Sequence, residues 1–95
     1  MGLIFEWDPN KDAANKKKHG VSFEEAATVF DDLLSLIFAD PEHSIEEDRY
    51  LIMGLSANDR VLVIVFTDRS DRIRIISARK STRQERIFYE EKNKG

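Results

Sequence analysis

The chain contains no cysteine, so disulfides, thiolate metal sites and a cysteine nucleophile are all excluded. Proline and glycine are scarce, two and four in 95 residues, and they form neither a Gly-rich phosphate loop nor an interdomain linker. A Gly-x-Ser-x-Gly elbow is missing as well. The two histidines, His19 and His43, lack the H-x₃-H or H-E-x-x-H spacing of metal ligands, so neither a metal nor another cofactor is expected. The longest apolar run, Val61 to Phe66, falls well short of the ~20 residues of a membrane span. No basic region followed by an apolar stretch opens the N-terminus, so no signal peptide is visible. What these absences leave is a cytoplasmic protein with one domain over residues 1–95, whose 41% hydrophobic residues build a small core.

Charge is present in quantity but unevenly placed. Residues 24 to 48 hold nine carboxylates (Glu24, Glu25, Asp31, Asp32, Asp40, Glu42, Glu46, Glu47 and Asp48) and no lysine or arginine. Residues 69 to 86 hold seven basic side chains (Arg69, Arg72, Arg74, Arg79, Lys80, Arg83 and Arg86) against Asp71 and Glu85, a local +5 on a chain of net charge −3. A basic patch of this kind suits a polyanion, with nucleic acid the first candidate. The acidic block reads either as a solvated face or as a docking surface for a cationic partner.

Along the chain, Ile4-Phe5-Glu6-Trp7 reads as a short strand. Asp8 caps a helix from Pro9 to about Lys18, ended by Gly20. Ser22 and Glu25 form a capping box for a second helix with Phe23, Ala26, Ala27 and Phe30 on one face. Leu33 to Ala39 reads as a strand. Three more follow at Tyr50–Ser56, Arg60–Thr67 and Arg72–Ala78, joined by a turn at Ala57-Asn58-Asp59 and a loop at residues 68–71. The continuously apolar second of these should be a central strand covered on both faces. Ser81 or Thr82 then caps a last helix to about Lys92, with Gln84 or Glu85 as box partner. The expected fold is α+β, order β-α-α-β-β-β-β-α, with two N-terminal helices and one C-terminal helix on a mostly antiparallel sheet.

Strict alternation through Arg72-Ile73-Arg74-Ile75-Ile76-Ser77-Ala78-Arg79 places Arg72 and Arg74 on one face and Ile73, Ile75, Ser77 and Arg79 on the other. Arg79 can still lean toward Arg83 at the helix start, where free N–H groups favour phosphate. The alternative is that these arginines pair with the acidic block or are solvated. Lys16, Lys17 and Lys18 fall in a last helical turn and complement the helix dipole. Lys11 lies one to two turns earlier. Trp7 and Tyr89 read as core or rim aromatics, with base stacking as the functional alternative.

Several strings are recognisable in combination. They are Phe5-Glu6-Trp7-Asp8-Pro9-Asn10-Lys11, Asn15, and Lys18-His19-Gly20-Val21-Ser22-Phe23-Glu24-Glu25-Ala26. Asp31, Asp40, His43, Arg49 and Gly54 follow, then Arg72 through Arg79 with Thr82, Arg83, Glu85 and Tyr89. Together they resemble the BrnT family, the toxin half of a bacterial type II toxin–antitoxin pair, over about residues 4 to 90. The resemblance implies a RelE-like fold and a ribonuclease that arrests translation. It also implies a BrnA-like antitoxin with a ribbon-helix-helix domain, through which the complex binds promoter DNA.

RNA cleavage without a metal needs a base, an acid and cations for the charge that builds on phosphate. Arg79 and Arg83 are assigned to phosphate and His19 to acid–base work, with Tyr89 as an alternative proton donor. Lys11, Arg69, Arg72, Arg74, Lys80 and Tyr89 are expected to bind RNA. The competing expectations are a non-catalytic nucleic-acid or protein-binding module and a gyrase poison.

Overall fold

The computed structural model describes residues 2–40 and 48–94. The first strand, β1 (Phe5–Glu6), leads into α1 (Pro9–His19) through Asp8, whose carboxylate accepts the Asn10 amide at 2.8 Å. Pro9 occupies a position whose N–H has no helical partner, so its missing donor is harmless. Gly20 ends α1 in the left-handed conformation at φ 69° and donates to the Lys16 carbonyl at 2.9 Å.

Helix α2 (Phe23–Thr28) runs on into a short 3₁₀ turn at Val29–Asp31. Only half of the expected capping box forms. Ser22 Oγ accepts the Glu25 amide at 3.0 Å, but the Glu25 side chain does not return to Ser22. It turns inward to Arg60 and Ser56, a stronger charge-assisted arrangement than one exposed backbone N–H offers.

The remaining elements are β2 (Leu36–Ala39), β3 (Arg49–Leu55), β4 (Val61–Arg69), β5 (Arg72–Lys80) and α3 (Arg83–Lys92). Strand β2 begins three residues later than the apolar run suggested, because the Asp32 carboxylate accepts the Leu34 amide at 3.0 Å and holds a turn there. The loop expected at residues 68–71 shrinks to a tight Ser70-Asp71 connection with Ser70 at φ 58°. Of the two possible caps for α3, Thr82 is used. Its Oγ1 accepts the Glu85 amide at 3.1 Å, while Glu85 Oε1 accepts the Thr82 amide at 2.8 Å.

The five strands lie in the order β1-β5-β4-β3-β2. Strands β2 to β5 are antiparallel, as expected, but β1 runs parallel to β5 (Phe5 beside Ile73, Glu6 beside Arg74), so the sheet is mixed. A parallel neighbour needs a long connection, and here everything between β1 and β5 supplies it.

The apolar β4 is central and covered on both sides. Leu62, Ile64 and Phe66 pack with Ile52, Ile75 and Ala78 beneath Val21, Phe23, Ala26 and Val29. On the opposite face Val63 and Met53 pack against Tyr89 of α3. Gly54 lets the 3₁₀ turn lie against β3, since a Cβ there would sit 3.0 Å from Val29 Cγ1, Ser35 Cβ and Asp32 Oδ2. Among the described residues no helix is long and apolar enough to cross a membrane.

Candidate functional site

Strand β5 does not alternate as its sequence suggests. Val65 pairs with Ser77 but Phe66 pairs with Ile75, leaving Ile76 as an extra residue opposite β4. Such a bulge reverses the inward and outward sense of everything beyond it. The odd-numbered residues of β4 share one face, and their partners are Arg72 (opposite Arg69), Arg74 (opposite Thr67), Ser77 (opposite Val65) and Arg79 (opposite Val63). The expected split of the arginines is therefore corrected: Arg79 shares its face with Arg72 and Arg74, not with Ile73 and Ile75. Strand β3 adds Arg49, opposite Thr67. This is the face that α3 covers only at the Met53–Val63–Tyr89 end.

At the covered end, Arg79 is clamped by Glu85. Arg79 Nη1 donates to Oε1 at 2.7 Å and Nη2 to Oε2 at 2.9 Å. The Arg79 guanidinium holds the Glu85 carboxyl down to about 2, against the opposing effect of partial burial, so Glu85 is ionised at neutral pH. Because Glu85 also accepts the Thr82 amide, the pair ties the end of β5 to the first turn of α3. Arg83 stands exposed one residue beyond that cap.

At the open end, Arg69 and Arg72 face each other across the hairpin, an unfavourable pairing of like charges. Arg72 turns to Asp71 at 3.3 Å and to Glu6 at 3.5 Å. Arg74 Nη1 donates to Glu6 Oε2 at 2.7 Å. Between Arg49 and Arg74 lies Thr67, 3% exposed, whose hydroxyl has no hydrogen-bond partner among the described residues.

The other candidates are placed elsewhere. His19 closes α1 on the far layer. Two hydrogen bonds bring that helix end to the same end of the sheet as Arg79: Gly20 O accepts the Arg60 side chain through Nη2 at 3.1 Å, and Val61 O accepts the Ser81 amide at 2.9 Å. Asn15, one turn before His19, holds the β5 edge by bonding both the N–H (3.2 Å) and the carbonyl (2.8 Å) of Ala78. Among the described residues no hydrogen bond or ion pair joins His19 to Arg79 or Arg83.

Lys11 is exposed on α1, and Lys80 lies opposite Leu62 on the α1–α2 face. Tyr89 is 7% exposed and donates to Asp32 Oδ2 at 2.5 Å. Burial and then the Asp32 charge push its hydroxyl up to about 12, so it neither offers a ring to a base nor gives up a proton readily. His43, and with it Glu42, Glu46 and Glu47 of the acidic block, lies outside the described residues.

The rest of that block is not a uniform solvated face. Glu25 is buried, accepts Ser56 Oγ at 2.7 Å and Arg60 Nε at 3.0 Å, and has its second oxygen on Arg60 Nη2. The Arg60 bonds draw its pKa down in spite of burial. For Asp32, burial pushes upward, but the Leu55 amide, the Tyr89 hydroxyl and the Leu34 amide outweigh it.

Four residues of this face were not singled out from the sequence as site residues: Glu6, Arg49, Thr67 and Glu85. The doubled isoleucine in Arg-Ile-Arg-Ile-Ile-Ser-Ala-Arg was the available signal, since adjacent apolar residues interrupt a two-residue period. Among the described residues no group of three His, Asp or Glu side chains is placed to hold a metal ion. What the face offers chemically is fixed positive charge, forked donors and two hydroxyls.

Residues 7–85 match a family described as "Ribonuclease toxin, BrnT, of type II toxin-antitoxin system". The fold is similar to the 1.1 Å crystal structure of the Brucella abortus ribonuclease toxin BrnT. The TM-score is 0.68 at 20% identity, over 86% of this chain and 100% of that one. A comparison with curated proteins gives no significant match.

Proposed function

Because the chain belongs to the BrnT family of ribonuclease toxins of type II toxin–antitoxin systems, we propose that it cleaves RNA on the arginine-bearing face of its sheet. The supporting observation is the bulge at Ile76, which gathers Arg72, Arg74 and Arg79 on one face, with exposed Arg83 opening the helix that follows β5. The ribose 2′-hydroxyl attacks the adjacent phosphorus and the 5′-oxygen departs, leaving a 2′,3′-cyclic phosphate and a 5′-hydroxyl. Negative charge builds on the non-bridging oxygens during this step.

Arg79, aimed by Glu85, and the exposed Arg83 stabilise that charge, as preorganised cations do in a site where they need not reorient. No metal is needed for this role. Glu85 remains ionised and orients Arg79; it does not donate a proton. His19 is assigned the proton transfers, since its helix end reaches the same end of the sheet and an imidazole can both give and take a proton. Arg69, Arg72 and Arg74 carry the flanking RNA backbone on a RelE-like scaffold, and the target is cytoplasmic RNA, so that translation stops.

The partner in this reading is a BrnA-like ribbon-helix-helix antitoxin, through which alone the complex meets promoter DNA. Exposed apolar side chains around β2 support a protein partner: Leu33 is 99% exposed, and Leu34, Ile37, Phe38 and Phe88 are also open. A patch of that kind marks an interaction surface.

The test is RNA integrity after brief expression, with an Arg79/Arg83 double alanine variant as control. Degraded RNA with the parent chain and intact RNA with the variant is expected. Intact RNA together with tight antitoxin binding would favour a non-catalytic module. Intact RNA with broken DNA would point to gyrase.

A further inference from the structure

The arginine face contains one feature that neither charge nor packing explains. Thr67 lies toward the end of β4, 3% exposed, and among the described residues its Oγ1 has no hydrogen-bond partner. An orphaned buried hydroxyl destabilises a fold, and valine would fill the same space and suit a strand at least as well. Its neighbours across the sheet are Arg49 on one side and Arg74 on the other, all three in one row. Directly opposed residues on one sheet face have Cβ atoms ~5 Å apart, so Thr67 stands between two arginines whose side chains are long enough to reach over it. Arg74 gives one nitrogen to Glu6 at 2.7 Å, and a guanidinium has five N–H donors.

We infer that Arg49, Thr67 and Arg74 form an oxyanion subsite that takes a backbone phosphate of the RNA remote from the bond being cut. The ligand is a phosphodiester oxygen, held by two forked cations and by the hydroxyl of Thr67. In the free protein the hydroxyl is closed over, and it is reached when the long side chains of Arg49 and Arg74 turn onto the phosphate. This rests on the reading of the arginine face as an RNA surface.

The row lies four residues along β4 from Val63, the partner of Arg79, which is ~13 Å at ~3.3 Å per residue. A dinucleotide, with its single phosphate, cannot occupy the Arg79 corner and this row together. A longer strand can, and remote binding of that kind is used to raise the rate at the reacting bond.

The experiment compares the full-length parent chain with its Thr67→Val and Thr67→Ser variants. The readouts are thermal unfolding, and kcat/KM on a dinucleotide and on a decanucleotide of RNA. Thr67→Val is expected to raise Tm, to leave dinucleotide cleavage unchanged, and to lower decanucleotide kcat/KM about tenfold, the loss typical of one hydrogen bond to a charged group. Thr67→Ser should keep decanucleotide cleavage. An unchanged decanucleotide rate in Thr67→Val would show that the threonine is only structural. Equal slowing on both substrates would also overturn the subsite, because it would place the effect at the cleavage corner or in the fold. Should the parent chain cut neither substrate, the ribonuclease reading fails and the subsite is judged by decanucleotide affinity alone. Weaker binding by Thr67→Val then supports it, and equal binding removes it.

Discussion

Two arginine–carboxylate clamps, Arg60–Glu25 and Arg79–Glu85, use the same bidentate chemistry on opposite sides of the sheet. The first is closed. Glu25 has a side chain 7% exposed, and Ser56 and the Gly20 carbonyl complete its network with Arg60, binding α2 to the β3–β4 turn. The second is the more open, its Glu85 side chain 31% exposed, with exposed Arg83 in the first turn of α3 and a row of arginines leading away along the sheet. The difference lies in what surrounds the pair. A forked ion pair sealed by further protein donors is a structural tie, and one left facing solvent among like charges can exchange its carboxylate for a phosphate.

Substitution of the two arginines should separate these roles. Arg79→Ala is expected to lower RNA cleavage by roughly 10²–10³-fold, the scale of losing one preorganised donor to a developing oxyanion. Its unfolding free energy should fall by less than ~1 kcal/mol, since an exposed pair contributes little. Arg60→Ala reverses the pattern. It strands a buried carboxylate and should cost about 3 kcal/mol of stability in denaturant titration, while cleavage per folded molecule is retained. If both variants lost stability and activity together, the contrast between the clamps would collapse.

Acid sharpens the contrast on a smaller scale. Glu25 and Glu85 both have folded pKa values below the ordinary 4.5 of a glutamate, Glu85 reaching about 2. A carboxyl depressed in the folded state contributes stability that is complete above its unfolded pKa and is lost as pH falls through the folded one. Unfolding free energy should therefore decline between about pH 4.5 and pH 2. Glu85→Gln should remove more of that decline than Glu25→Gln, because the Glu85 carboxyl lies the further below its ordinary value. The smallest effect belongs to Lys16, Lys17 and Lys18, which complement the α1 dipole. Alanine at each should lower stability by about 0.3–1 kcal/mol and leave RNA cleavage unchanged.

The local devices of this fold were legible in the sequence because their partners are close in the chain. Asp8-Pro9, Gly20, Ser22 and the Thr82–Glu85 box all act within four residues. The central burial of β4 followed from its unbroken apolar run. What escaped reading depends on partners far away. Glu25 meets Arg60 across 35 residues, so its side chain left the box that local spacing assigned to it. Strand β1 pairs with β5 across more than sixty residues of chain, a parallel pairing that made the sheet mixed. The site suffered most from one residue. Ile76 breaks the two-residue period, and a one-residue shift moved Arg79 to the other face of the sheet. Thr67 could not be singled out at all, because a threonine in an apolar strand signals nothing until the register places it between Arg49 and Arg74.

The central claim is that RNA meets the face carrying Arg72, Arg74 and Arg79. The most direct measurement is a backbone amide chemical-shift titration with an RNA oligonucleotide that resists cleavage because its 2′-hydroxyls are methylated. Shifts should concentrate on Arg49, Val65, Thr67, Arg69, Arg72 through Arg79 and the first turn of α3, with α1 and α2 quiet apart from the His19 end. A pattern centred on Lys11 and Lys16 through Lys18, with β5 unmoved, would contradict it.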